Sequence, residues 1–288
     1  MNMPETLLRN KLKDFLEEDI GFGDLTTELM VPPDTKIRAQ IIVKENAVIA
    51  GLSELKIIFE DIVGAKFRHL VNEGEEVPSN TVIAEIEGDG RTILSAERTA
   101  LNILSRMCGI ATATRKLVKI IKNAGLNVKI AATRKTAPGL RYFDKRAVIV
   151  GGGDPHRFRL DDQILIKDNH IVIAGGIGEA LKKAYASASF SKKIEVEAKT
   201  LNEVIEAAKL GADIIMLDNM SVEEAKETIE ALKRLGLRDK VLIEISGGIN
   251  EENLLDYARL NPDIISVGKI THSVDSINVS LEVIEVEK

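Results

Sequence analysis

The side chains able to do chemistry lie beyond about residue 129, at the ends of short apolar stretches, and their character changes in order along the chain. KIAATRK and the glycine loop GGGDPHR are basic, and ILIKDNH ends in Lys167 and Asp168. IEVEAK and IIMLDN are acidic, while EISGG and ISVGK end in small residues. Arg134, Lys135 and Arg141 fall within TRKTAPGLR, and His156 and Arg157 close the glycine loop. An arginine fork grips a carboxylate or phosphate with two parallel hydrogen bonds, so this set suits an anionic ligand, although a solvated basic loop would read the same way. GGGDPHR lacks the spacing of a P-loop, and its histidine alone would more often be structural. The same bland reading applies to His170.

Glu195 and Glu197 are two residues apart on an apolar run, which places both on one side of a strand. Asp218 ends the next run. Carboxylates at neighbouring strand ends can bind a cation through oxygen, accept from ribose hydroxyls or stabilise a developing positive charge. Ser246, Gly247, Gly248 and Gly268 offer backbone N–H groups of the kind that cradle phosphate after the last strands of many barrels, though glycine also serves simply as a turn residue.

Positioning these residues requires parallel βα units whose strand ends share one face. The apolar runs at 129–134, 147–150, 164–167, 193–198, 214–218, 241–246 and 264–267 read as seven such strands, an incomplete rather than a closed barrel. Helical patterns such as LNEVIEAAKLG and VEEAKETIEALKRLG fall between them and end in glycine. Upstream, 1–20 reads as helix, 37–51 as a strand pair and 52–64 as an amphipathic helix, with strands and turns over 66–94. VNEGEEVPSNTVIAEIEGDG resembles a biotinyl or lipoyl carrier sandwich, but the expected hairpin tip, Gly88 to Arg91, has no lysine to modify. The stretch 95–125 is helical and is expected to break at Gly109. The tail VDSINVSLEVIEVEK fits either helix or strand. The domain organisation expected is therefore an amino-terminal α/β sandwich domain at 1–105, an open α/β barrel of about seven parallel strands at 106–270, and a segment at 271–288 returning to the first domain.

Composition narrows the class. A formal charge of −6 in 288 residues argues against a nucleic-acid-coating protein. A single cysteine, Cys108, can form neither an internal disulfide nor a zinc cluster, which fits a cytoplasmic location, and the amphipathic amino terminus is neither signal peptide nor membrane span.

Taken in order, ERTALN, TRKTAPGLR, GGGDPHR, LIKDNH, EVEAKTL, MLDN, SGGI and SVGKITHS resemble the quinolinate phosphoribosyltransferase family, from about residue 20 onward. The resemblance implies transfer of phosphoribose from phosphoribosyl pyrophosphate to quinolinate, giving nicotinate mononucleotide, pyrophosphate and CO₂ with Mg²⁺. It also implies a homo-oligomer, dimer or hexamer, with active sites shared between subunits. It assigns Thr133, Arg134, His156 and Arg157 to substrate binding, with Arg98 supplied by a partner subunit. Lys135, Lys167, Glu197 and Asp218 become catalytic, the two acids also facing the metal, and Ser246, Gly247, Gly248 and Gly268 take the 5′-phosphate. Two positions depart from the family pattern: Ala132 stands where an acid is frequent, and Lys269 where a small residue is common. The rival readings are a phosphoribosyltransferase acting on nicotinate or another anionic base, and a non-catalytic nucleotide-binding barrel.

Overall fold

The computed structural model describes residues 3–287, which divide into two compact units. Among the described residues the first comprises 3–115, 142–152 and 274–287; the second comprises 116–141 and 153–273.

The chain opens with helices α1 (Glu5–Ile20) and α2 (Leu25–Met30). Leu8, Leu12 and Leu16 recur every four residues and form the buried stripe of α1. Asp24 caps α2 by accepting from the Thr27 N–H at 3.0 Å. Strands β1 (Lys36–Val43) and β2 (Ala47–Val48) follow, then helix α3 (Leu52–Lys56), continued by a π-helical turn over Ile57–Ile62 that buries Ile57, Ile58 and Phe59. Next come β3 (Lys66–His69), β4 (Glu76–Val77) and β5 (Thr81–Asp89). The strands expected over 37–51 are present but do not pair with each other. β1 lies between β5 and the last strand of the chain, and β2 pairs with β4. Alternate residues Ile37, Ala39, Ile41 and Val43 of β1 are buried, as a sheet with one covered face requires. The expected hairpin tip at Gly88 to Arg91 is instead a strand-to-helix junction, because Gly90 opens the next helix.

That helix, α4 (Gly90–Asn123), is continuous, so Gly109 does not break it. A side chain at Gly109 would collide with the Asp275 carbonyl, so glycine is needed there for close approach of another segment rather than as a helix stop.

In the second unit, the strands β6 (Lys129–Ala131), β7 (Ile164–Ile166), β8 (Ile194–Ala198), β9 (Ile214–Asp218), β10 (Leu242–Ser246) and β11 (Ile264–Ser266) form one parallel sheet in the order β6-β11-β10-β9-β8-β7. The open parallel sheet has six strands. The run at 147–150, expected as the seventh, belongs to helix α5 (Arg141–Val150). Its buried residues include Phe143 with Ala147 and Asp144 with Val148, four apart, a helical period that four β-branched or small residues taken alone do not display. The free edge of β6 receives a parallel bridge from Ala131 to Asp154, which holds the start of the glycine-loop exit against the sheet.

The connecting helices are α6 (Asp168–Ala174), α7 (Ile177–Ser187), α8 (Leu201–Lys209), α9 (Val222–Arg234), α10 (Leu254–Ala258) and α11 (Lys269–His272). Thr200 with Glu203 and Ser221 with Glu224 form reciprocal capping boxes that start α8 and α9 directly after the acidic strand ends. The tail is a strand, β12 (Val279–Glu287), antiparallel to β1 and within the first unit.

Candidate active site

At the carboxyl ends of the parallel strands lies a cavity of about 450 Å³. Thr133, Arg134, Lys135, His156, Arg157, Lys167, Glu197, Asp218 and Ser246 all line it, so nine of the expected positions converge although they come from six separate stretches of chain. Arg134 and Lys135 follow β6, and Lys167 follows β7. Glu197 is on β8, Asp218 ends β9 and Ser246 ends β10.

The basic wall is built to receive negative charge. The Nε of Arg134 is buried and has no hydrogen-bond partner among the described residues. A buried guanidinium nitrogen left unpaired is costly, and an anionic ligand would satisfy it. Burial and the neighbouring Arg134 charge both push the Arg157 guanidinium below its ordinary range, the expected effect of two cations held close together out of water. Lys167 donates to Glu197 Oε1 at 2.5 Å and joins the basic wall to the acidic one.

On the acidic side, Glu197 also accepts from the Asp168 N–H at 3.4 Å. Burial, then the charge of Glu197, raises the Asp218 carboxyl above its usual value. Asn219 donates to Asp218 Oδ1 at 2.9 Å from a left-handed backbone with φ of 56°, and its own N–H donates to the Ser246 carbonyl at 2.9 Å. His170 does not join the cavity lining; its Nδ1 accepts the Lys167 N–H at 2.9 Å and starts α6, the structural role expected of it.

The glycine end is shaped by backbone. Gly247 has φ of 104°, and any side chain there would run into Asn219. Gly248, with φ of 63°, faces open space. Gly268 lies beside Lys135: a Cβ placed on it would be 3.3 Å from Lys135 Cδ and 3.2 Å from His272 Cδ2. Thr271 Oγ1 donates to the Lys135 carbonyl at 2.9 Å, tying the loop after β11 to the basic loop. Lys269 is exposed at the start of α11.

Ala132 is fully buried at the rim. Arg98 lies in α4, in the first unit; its side chain is 63% exposed and makes a 3.8 Å ion pair with Glu97.

Sequence reasoning missed Glu244. It is fully buried on β10, two residues before Ser246 and on the same face, the spacing that did draw attention to Glu195 and Glu197. Gln163 was also missed; it donates to Glu195 Oε2 at 2.6 Å.

Comparison with known proteins separates the readings. Residues 24–108 match the family model for the N-terminal domain of quinolinate phosphoribosyl transferase, and residues 110–282 match that for its C-terminal domain. The chain belongs to the quinolinate phosphoribosyltransferase family. It is 48% identical over 275 residues to a probable carboxylating nicotinate-nucleotide pyrophosphorylase of Methanocaldococcus jannaschii, covering 95% of this chain and 96% of that protein. The human carboxylating nicotinate-nucleotide pyrophosphorylase is 34% identical over 280 residues, covering 97% and 93%. Among solved structures, the nicotinate-nucleotide pyrophosphorylase of Francisella tularensis superposes with a TM-score of 0.88 at 38% identity, over 98% of each chain. Membership in this family makes the chain an enzyme, a phosphoribosyltransferase, and the non-catalytic barrel is set aside. No helix among the described residues is long and apolar enough to cross a membrane.

Proposed function

We propose that this chain joins quinolinate to phosphoribosyl pyrophosphate and releases CO₂ and pyrophosphate, forming nicotinate mononucleotide for NAD synthesis, and that the cavity after the parallel strands is where it does so. The observation that carries the reading is one cavity with a basic wall of Arg134, Arg157 and Lys167 and an acidic wall of Glu197 and Asp218. Quinolinate has two adjacent carboxylates. Several fixed cations are required to hold both and to turn the ring nitrogen toward the sugar.

In this assignment Thr133, Arg134, His156 and Arg157 bind quinolinate, and Lys135 lies where it meets the substrate or the pyrophosphate. The ring nitrogen attacks the anomeric carbon as the bond to pyrophosphate breaks, and the sugar gains oxocarbenium character. Glu197 and Asp218 stabilise that positive charge. Ribosylation leaves the ring nitrogen cationic, so the adjacent carboxylate departs as CO₂ and leaves its electron pair on the ring carbon. Lys167 stabilises that carbanion until it takes a proton. Ser246, Gly247, Gly248 and Gly268 hold the 5′-phosphate through main-chain N–H groups.

Glu197 and Asp218 suit magnesium, since both offer hard carboxylate oxygens and the Glu197 charge raises the cost of charge on Asp218. When bound, the ion would neutralise charge on the departing pyrophosphate.

A homo-oligomer with shared sites is part of the same proposal. Phe22, Leu25, Leu29 and Met30 are exposed around α2, an apolar surface of the kind that a second subunit covers. Ser95, one turn before Arg98 on α4, hydrogen-bonds Asp24 at the start of α2, so Arg98 belongs to that same region of the first unit. A cytoplasmic location accords with the single cysteine.

The test is CO₂ release coupled to nucleotide formation with quinolinate, run beside nucleotide formation with nicotinate. Product from quinolinate alone supports the assignment. Product from nicotinate, with none from quinolinate, overturns it.

A further inference from the structure

At the wall of the cavity, which His156 and Glu244 help to line, His156, Glu195 and Glu244 come together, with ligand-capable atoms all within 4.8 Å of one another. Both glutamates are fully buried. They rise from β8 and β10, the strands on either side of β9. His156 adopts a left-handed backbone, φ of 53°. Such a conformation is strained for a residue with a side chain and persists only where the surroundings over-determine it.

The surroundings do so through contacts on the backbone and on both ring nitrogens. The His156 N–H donates to Asp154 Oδ1 at 2.7 Å. The Arg157 N–H donates to His156 Nδ1 at 2.7 Å. His156 Nε2 lies 3.0 Å from Glu244 Oε2 and 3.6 Å from Glu195 Oε2. A ring nitrogen that accepts an N–H carries no proton, so the ring proton is on Nε2 and is donated to Glu244. Gln163 donates to Glu195 from the other side at 2.6 Å. The Oε2 atom of each carboxylate is thus met by an N–H donor, while Glu195 Oε1 and Glu244 Oε1 are buried without a hydrogen-bond partner among the described residues; a metal ion bound by the same three residues would require Nε2 bare. The imidazole becomes a rigid strut from a buried carboxylate to the main chain of Arg157, whose side chain lines the cavity.

We propose that Glu244, backed by Glu195 and Gln163, is a positioning residue for quinolinate: it fixes His156 as the Nε2–H tautomer, and the ring in turn fixes the Arg157 main chain and so its guanidinium. The proposal rests on Arg157 belonging to the quinolinate pocket. It adds a buried pair of carboxylates to the support of that pocket and gives the strained histidine backbone a purpose.

Two measurements test it. Nitrogen NMR of the wild-type enzyme labelled at its four histidines, with His156 assigned by its loss in His156→Gln, is expected to show a protonated Nε2 and a bare Nδ1. A protonated Nδ1 overturns the proposal whatever the substrate, so this result is separable from the functional reading. In steady-state kinetics, Glu244→Leu is expected to raise KM for quinolinate about tenfold or more, with KM for phosphoribosyl pyrophosphate changed by less than about twofold. Glu244→Gln keeps a side-chain oxygen able to accept from Nε2–H and is expected to recover most of that loss. Equal changes in both KM values, or no change in either, would overturn the proposal. Should Glu244→Leu fail to fold, the NMR spectrum and the Glu244→Gln kinetics decide: a Glu244→Gln enzyme with KM raised for both substrates counts against it.

Discussion

Lys167 and Glu197 form a 2.5 Å ion pair between the end of β7 and β8, a direct bond between the cationic and anionic sides of the cavity. Either partner alone would be poorly placed. Glu197 is nearly buried and would face burial with one fewer partner. Lys167→Met is therefore expected to lower kcat by about a hundredfold or more, the scale of losing one preorganised charged group, measured by pyrophosphate release at saturating substrates.

Arg134 should act on binding rather than on chemistry. Its buried, unpaired Nε and its place in the basic loop predict that Arg134→Ala weakens quinolinate binding by about 1.5 to 3 kcal/mol, roughly ten- to a hundredfold, by calorimetry. Glu197→Ala should leave that affinity nearly intact while reducing turnover. A Glu197→Ala enzyme with full turnover would remove the acidic wall from the mechanism.

The strand-end logic was visible in the chain itself, and the reason is periodic. Residues i and i+2 on a strand share a face, so Glu195 with Glu197, and the runs ending at Lys167 and Asp218, point to a common mouth in the sequence alone. Signals that depend on a partner distant in sequence stayed hidden. Gly109 looks like a helix stop, and it is the Asp275 carbonyl beside it that explains why glycine is needed inside a continuous helix. Ala147 to Val150 look like strand until Tyr142 and Phe143 extend the buried pattern upstream. Glu244 sat within a motif already singled out, yet its importance comes from His156, 88 positions away in the chain.

Sharing of the active site can be tested by complementation. Arg98→Ala and Arg134→Ala proteins, each impaired, are expected to regain activity when mixed under conditions of verified subunit exchange, because one site in a mixed dimer would hold both intact arginines. Activity that stays at the level of the separate variants would place Arg98 outside the site.

Stability should depend on pH through Glu195. Burial first, and then the Glu244 charge, push its carboxyl up to about 8. The unfolded chain releases that proton at about 4.3, so over the interval between the two values the folded state binds more protons than the unfolded one. Stability therefore falls as pH rises from about 4 toward 8 through this group. Glu195→Gln is expected to flatten that part of the profile in urea titrations across the range, and an unchanged slope would show that Glu195 ionises normally.

Gly109→Ala should lower the unfolding midpoint. Alanine gains helix propensity of about 1 kcal/mol over glycine, but its methyl group meets the Asp275 carbonyl, and overpacking of this kind costs about 1 to 3 kcal/mol. A rise in midpoint on scanning calorimetry would mean that the 275 segment moves aside without cost.

The pairing of β12 with β1 sets an order of assembly during synthesis. Ile41 takes Leu281 as its cross-strand partner, so the sheet of the first unit lacks one of its four strands until the parallel sheet has already left the ribosome. Until then β1 exposes an unpaired edge flanked by apolar residues, the feature most prone to pairing with another chain. Throughout translation of the second unit the nascent first unit therefore carries β1 as an open edge, and the pairing of β12 moves β1 to the interior of its sheet.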